Sequence, residues 1–185
     1  MTLTKCNVCG YVIQKDDLEE VCPACGAKKR VFEPYSSKLS EKRRKFLSYH
    51  LHPIMTHFSV GSAILFFFIV FIIVFFPDKA SLALMGSAYV FSIIMPIAGF
   101  LTMVTGLIDG KIRFKRLNPP HLKSKIYVGS AFLILSIINA SIVAGDLIAA
   151  NEYRASLLLA IALVGCAGYL GKLGGTLICA QTSGK

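Results

Sequence analysis

Four long apolar segments, separated by short polar stretches, dominate the chain after residue 50. Each runs without a formal charge, except that Lys172 interrupts the last one. A helix that crosses a membrane needs about 20 apolar residues, within a range of roughly 17–25. The pattern therefore predicts four transmembrane helices, at about residues 53–76, 80–108, 122–149 and 155–179.

The composition agrees with an integral membrane protein. Of the 185 residues 55% are hydrophobic, and the mean hydropathy is +0.63, which is higher than an ordinary soluble domain shows. The second segment is long for one crossing and contains Pro96, which removes a backbone hydrogen bond and kinks a helix. No polar turn divides it, so we predict one tilted or kinked helix. The expected fold class is an all-α four-helix bundle in the membrane.

The net charge of +10 is concentrated beside the first helix and in the connection between the second and third helices. This distribution follows the positive-inside rule. It predicts a multi-pass protein of a bacterial or archaeal cytoplasmic membrane, with both termini in the cytoplasm. A nucleic-acid partner is not needed to explain the charge. No signal peptide precedes the first cysteine, so we expect the first apolar segment to be a retained anchor.

Four of the six cysteines lie near the N-terminus with the spacing C-x2-C-x12-C-x2-C: Cys6, Cys9, Cys22 and Cys25. Two such pairs supply four thiolates at the corners of a tetrahedron, which suits zinc or a single iron. Two disulfides are the alternative, and a reducing cytosol disfavours them. Residues 1–35 are too few to bury a useful core, so we expect the metal to hold this unit together.

The stretch KCNVCGYVIQKDDLEEVCPACGAKKRVFEPY resembles the short rubredoxin-like domain of rubrerythrins. The resemblance implies that Cys6, Cys9, Cys22 and Cys25 are iron ligands, since the CGYV element favours iron over zinc. It also implies that Tyr11 and Phe32 are the aromatic residues of the small domain. We therefore divide the chain into a rubredoxin-like domain (1–35), a basic linker (36–51) and a transmembrane domain (52–182).

All four histidines are predicted at one membrane level, on the cytoplasmic side. Three lie in HLHPIMTHFSVG at the start of the first helix, and His121 opens the third helix in PPHLKSK. If these helices pack across the bundle, His57 and His121 face each other, as the two axial ligands of a b-type haem do. There are two alternatives for this pair of histidines: they form a hydrogen-bonded polar contact between the helices, or they contact a quinone. His52 is a further candidate for binding the cofactor.

The membrane half also resembles a known family. The motifs LHPIMTHFSVG, TGLIDG, PPHLKSK and LGGTLI are similar to those of four-helix bacterial membrane proteins of unknown function, whose first helix opens with LHPxxVHFP. Gln181 stands where that family has a further histidine. The resemblance implies no activity. The matching residues are His52, Pro53, His57, Asp109, His121, Gly174 and Gly175.

These features together predict a membrane-bound electron-transfer protein. A cytoplasmic iron centre would accept electrons from a soluble donor such as a flavoprotein and pass them to a haem or quinone in the membrane. We would then expect the chain to be an electron carrier or a subunit of a membrane oxidoreductase rather than a stand-alone enzyme. The alternative is a zinc-ribbon scaffold that docks a cytoplasmic partner. Glycines in the fourth helix predict close helix packing, within the bundle or in a homodimer.

Overall fold

The computed structural model describes residues 3–36, 40–115, 119–145 and 150–178. The chain divides into two units, and the division falls between Phe46 and Leu47. The first unit contains a small sheet and the second is helical. A short helix, α1 (Glu41–Leu47), lies at the division, within the segment that the sequence assigned to a linker.

The N-terminal unit has an antiparallel sheet with the strand order β2-β1-β3. Thr4 of the central strand lies opposite Ile13 on one side and Pro34 on the other. Among the residues of this unit that the structure describes, few side chains are buried: Thr4, Leu18, Cys6 and Cys22. Two cysteines thus make up half of the interior, which agrees with a domain that is too small for an apolar core. The described strands are β1 (Leu3–Cys6), β2 (Val12–Gln14) and β3 (Phe32–Tyr35).

The second unit is built from long helices. Among the described residues, four helical stretches are long and apolar enough to cross a membrane, which confirms the predicted fold class. α2 packs against α3 and α5, and α4 packs against the same two helices, so the four form a closed bundle. The helices are α2 (Leu51–Phe75), α3 (Leu82–Phe114), α4 (Pro120–Gly145) and α5 (Ala150–Ile178).

The distribution of residues over the bundle is that of a protein surrounded by lipid. Large apolar side chains such as Phe58, Phe68 and Leu158 are more than half exposed. The interior combines large apolar side chains with small polar ones, since Ser92 and Ser136 are fully buried. Their hydroxyls donate to carbonyls of their own helices at 2.7 and 2.8 Å. Outward-facing phenylalanine therefore needs hydrocarbon around it, while the inward-facing serines are already hydrogen-bonded.

Some buried polar atoms near the end of α4 and the start of α5 lack such a hydrogen-bond partner. The amide of Asn139 and the hydroxyls of Tyr153 and Ser156 have no hydrogen-bond partner among the described residues. Asn139 lies six residues before the end of α4, and Ser156 lies six residues after the start of α5. In antiparallel neighbours these positions are at the same depth, so the unpaired groups belong to one level of the bundle.

Helix α3 is longer than the sequence predicted. It continues through Pro96 as one helix and ends at Phe114, six residues beyond the predicted end at 108. Hydropathy marks only where charge begins, whereas a helix can continue into the polar region beyond the hydrocarbon. The extension puts Asp109 and Arg113 on the helix. The predicted helix ends at 149 and 179 lie outside the described residues.

The glycines of α5 do not bring it close to another of the described helices. A Cβ atom built at Gly165, Gly168 or Gly171 would have no atom of the described residues within 4 Å. The same is true of Gly175, and at Gly174 the nearest atom is the Nζ of Lys125, at 3.7 Å. Close packing within the bundle therefore does not account for the glycine stripe.

We expect Phe66→Ala to destabilise the bundle far more than Phe68→Ala. Phe66 is completely buried, so its truncation leaves a cavity and costs about 3–5 kcal/mol. Phe68, two residues further along the same helix, is 55% exposed, and its truncation should cost less than about 1 kcal/mol. Thermal unfolding in detergent measures both, and equal losses would contradict this account of the core.

Candidate functional site

The first pair of cysteines lies on a tight turn, residues 6–11. The N–H of Gly10 donates to the carbonyl of Cys6 at 2.8 Å, and the N–H of Cys6 donates to the carbonyl of Tyr11 at 2.8 Å. Gly10 has a φ of 79°, in the left-handed region that a residue with a Cβ adopts only at a cost. The sequence C-x2-C-G therefore folds into this turn because the glycine closes it.

The second pair repeats the same turn at residues 22–27. The N–H of Gly26 donates to the carbonyl of Cys22 at 2.8 Å, and the N–H of Cys22 donates to the carbonyl of Ala27 at 2.7 Å. Gly26 has a φ of 73°. In each turn the first cysteine is buried and the second is exposed.

The two turns bring the four sulfurs into one cluster. All four Sγ atoms lie within 4.8 Å of one another, with 3.8 Å between Cys6 and Cys25 and 3.7 Å between Cys9 and Cys22. A tetrahedral ion with metal–sulfur bonds of about 2.3 Å needs sulfurs roughly 3.8 Å apart. The geometry therefore fits one tetrahedral metal ion bound by four thiolates.

The surroundings of two of these thiols differ. The backbone N–H of Cys9, together with that of Val8 and the nearby thiols, lowers the pKa of Cys6 from 9.0 to about 7, against the opposing effect of burial. At Cys25 the N–H of Ala27 also favours the thiolate, but burial and the three neighbouring thiols outweigh it and raise the pKa to about 12. Without a metal, one thiolate forms readily at Cys6 and further charge in the cluster is resisted.

Four cysteines on two C-x2-C-G turns beside a small antiparallel sheet define a metal-binding domain of the rubredoxin class. Residues 5–33 match the family model described as the rubrerythrin, rubredoxin-like domain. No curated protein and no solved structure shows significant similarity to the chain. The N-terminal unit is thus a rubredoxin-like domain with four clustered cysteines, fused to a helical domain. Iron as the bound metal, and the likeness of residues 50–182 to a membrane family, stay predictions.

The helical unit contains a cavity of about 350 Å³ between its four helices. The cavity lies toward the end of the bundle where α2 and α4 begin and α3 and α5 end. Of the three histidines predicted to bind a cofactor, His52 and His57 line it, whereas His121 is not among the described residues that do. Asp109, Gly174 and Gly175, which carry the second family resemblance, also line the cavity.

His52 is held against α3. Its Nδ1 lies 3.1 Å from the carbonyl oxygen of Thr102, and because a carbonyl only accepts, Nδ1 carries the proton. A Cβ atom at Gly106 would lie 2.9 Å from the imidazole, so only glycine leaves room for the ring there. About two turns further along α2, the hydroxyls of Ser59 and Thr102 lie 2.7 Å apart and link the same two helices.

The pairing of His57 with His121 stays a prediction. The Nδ1 of His57 donates to the carbonyl of Pro53 on its own helix at 2.6 Å, and the residue is exposed although it lines the cavity. His121, the second residue of α4, is also exposed. His50 is exposed as well and has a φ of 51° at the corner between α1 and α2. The structure therefore joins His52 and His57 at one cavity and leaves His121 outside its lining.

Sequence reasoning missed the two cations of the cavity. Arg113 of α3 and Lys125 of α4 line it together with Asp109. Within the part of the chain that the structure describes, no hydrogen bond or ion pair engages Lys125. The positive-inside rule uses the basic residues only as a signal of orientation. One feature of the sequence could have indicated Lys125 as a site residue: it follows His121 by one helical turn and begins the apolar part of its helix.

We expect Gly26→Ala to destabilise the rubredoxin-like domain, and Gly26→Asn to do so less. A Cβ at this position meets no atom of the described part of the chain within 4 Å, so the penalty is one of backbone conformation. It amounts to about 1–2 kcal/mol for alanine, while asparagine tolerates the left-handed region better. The midpoint of metal loss on heating measures the effect. Equal stability of the two variants would contradict the assigned role of the glycine.

We expect zinc affinity of the domain to fall as the pH is lowered from 8 to 6. With a pKa of about 12, Cys25 is protonated throughout this range in the absence of metal, so binding must displace its proton. Each displaced proton weakens binding by about tenfold per pH unit. Competition with a chelator calibrated at each pH measures the slope. Cys166→Ser, outside the cluster, should behave as the parent does, and an affinity independent of pH would contradict the expectation.

Proposed function

We propose that the protein is a membrane-bound electron-transfer protein, in which the four-cysteine centre holds iron and relays electrons. The supporting observation is the sulfur cluster, in which all four corners of a tetrahedron are side chains of the protein itself. Bound iron would supply one-electron transfer there. No corner is left for a substrate, so the cysteines hold the metal and do no bond chemistry.

One feature of the first turn and the family match agree with iron at this site. The N–H groups of Cys9 and Val8 stabilise the Cys6 thiolate, and hydrogen bonds of this kind tune the potential of an iron–sulfur centre. Residues 5–33 also match a domain of rubrerythrins, and they include the CGYV element.

The proposal includes the redox partners of the protein and its cellular location. The donor is a soluble cytoplasmic redox protein such as a flavoprotein, and the acceptor is a haem or quinone in the membrane domain. The clustering of basic residues supports a cytoplasmic location for both termini, in a bacterial or archaeal membrane. The lipid bilayer covers the outward-facing phenylalanines of the bundle, and a homodimer is compatible with the glycine stripe of α5.

A second candidate function is that of a zinc-bound scaffold that docks a cytoplasmic partner. Four thiolates at tetrahedral spacing suit zinc as well as iron, and the CPACG turn is of a kind that zinc ribbons also use. In this case the rubredoxin-like domain would bind a partner protein and carry no electrons.

The visible absorption spectrum of the detergent-purified protein separates the two functions. We expect iron–thiolate bands in the protein as isolated, and loss of these bands on addition of dithionite. Cys9→Ser should remove or shift the bands because it replaces one of the four thiolates, whereas Cys166→Ser should leave them unchanged. The metal content of the same samples should be one iron per chain.

A colourless protein with one zinc per chain, purified from cells grown with ample iron, would overturn the electron-transfer proposal and favour the scaffold. A bleaching spectrum with a sharp haem band beside it would support electron transfer and identify the acceptor as haem. Bleaching bands without haem would support a redox-active four-cysteine centre and leave a quinone or a partner subunit as the acceptor.

A further inference from the structure

The bundle cavity has one polar end and one apolar end. Its lining follows α2 from His52 to Val60, a distance of about 12 Å along the helix. The ionisable side chains lie toward the end where α2 begins, and Gly99 and Phe132 lie at the deeper end. At about 350 Å³, the cavity is within the range of small-molecule sites. Its ligand should be amphipathic, with a polar ring or head at the membrane surface.

The polar end offers hydrogen-bond acceptors. His52 and His57 both donate Nδ1–H to a backbone carbonyl. In a neutral imidazole the other nitrogen is then an acceptor, so each Nε2 is available to a hydroxyl group. Within the described residues neither Nε2 has a hydrogen-bond partner. A ligand that fits this arrangement carries hydroxyl groups, which a carboxylate or a phosphodiester anion does not.

The polar end also offers hydrogen-bond donors. The ammonium of Lys125 points toward α5, where a Cβ at Gly174 would lie 3.7 Å from it, and Arg113 lines the same cavity. Both cations can donate to a carbonyl oxygen. Asp109 supplies one negative charge to the lining and so reduces the excess of positive charge. The site thus combines donors and acceptors and is not simply a binding site for anions.

A b-type haem fits this cavity less well. Two axial imidazoles must approach the iron from opposite faces of the ring. His52 and His57 come from one helix, five residues apart, so they differ by about 7.5 Å in height and about 140° in direction. The two histidines that line the cavity therefore cannot enclose a ring between them.

We propose that this cavity binds the ring of a membrane quinone and its reduced form, the quinol. The oxygens of such a ring are carbonyl acceptors in one state and hydroxyl donors in the other, which matches a lining that contains both cations and imidazole acceptors. The proposal rests on the proposed electron-transfer function, to which it adds the chemical class of the acceptor. Reduction of the ring would add two electrons, which iron held by the four cysteines would supply one at a time, and two protons from water, one at each ring oxygen.

The experiment measures quinone binding by the full chain in detergent, independently of the metal. Organic extraction of the purified protein shows by its ultraviolet spectrum whether a quinone is retained. Equilibrium dialysis with a short-chain naphthoquinone and a short-chain benzoquinone then gives the affinity. We expect about one quinone per chain.

Two variants and a matched control localise the binding. Gly174→Leu adds a side chain directed at Lys125, inside the cavity, and Lys125→Met removes the cation while keeping the length of the side chain. Each should weaken binding by about tenfold or more. Gly168→Leu makes the same change on the same helix, but it lies outside the cavity lining and should leave binding within about twofold. Thermal unfolding of each variant shows whether it is folded.

The outcomes separate this inference from the proposed function. An iron-containing, dithionite-sensitive protein that binds no quinone, or whose quinone binding is unaffected by both cavity variants, overturns the inference and leaves electron transfer standing. A zinc protein that binds quinone with the expected variant effects supports the site and overturns the proposed function. Extraction of a haem or a phospholipid that Gly174→Leu displaces also overturns the inference.

Discussion

Hydrogen bonding in hydrocarbon is the constraint on which the helical unit depends. The bilayer interior supplies no partner for a backbone N–H or carbonyl, so apolar segments must be helical, and a polar side chain at that depth needs a partner within the protein. Ser92 and Ser136 meet this requirement by bonding to carbonyls of their own helices, and His52 meets it by bonding to α3. The cavity lies inside the bundle, where polar side chains such as His52 are held by bonds of this kind.

The N-terminal unit meets a different constraint. Its buried side chains are few, and two of them are cysteines, so apolar burial contributes little to its stability. Two glycines with positive φ fold the C-x2-C segments into equivalent turns, and these turns bring the four sulfurs together. A metal bound at this point stabilises the fold and also supplies its chemistry. Stability and metal binding are thus inseparable in this unit.

The sequence predicted those features that depend on spacing along the chain. Cysteine spacing located the cluster, since two turns of fixed geometry leave the sulfurs little freedom, and apolar length located the four long helices. The features that depend on which helix faces meet were missed. Hydropathy ended the second predicted helix at 108 and so separated Asp109 and Arg113 from the site, although α3 carries both. The space around Lys125 depends on Gly174 of another helix, which no local pattern reveals.

The alternation of burial in the cysteine cluster has a consequence for how long a bound ion stays. Cys6 and Cys22 are enclosed, while Cys9 and Cys25 face outward. A chelator, a competing ion or an oxidant would reach the outer two sulfurs first, and exchange of a metal–thiolate bond would begin there. The lifetime of the ion is then set by two of its four bonds. The ion should be released stepwise from the exposed side of the cluster. Its bonds to the inner pair of thiolates should break last.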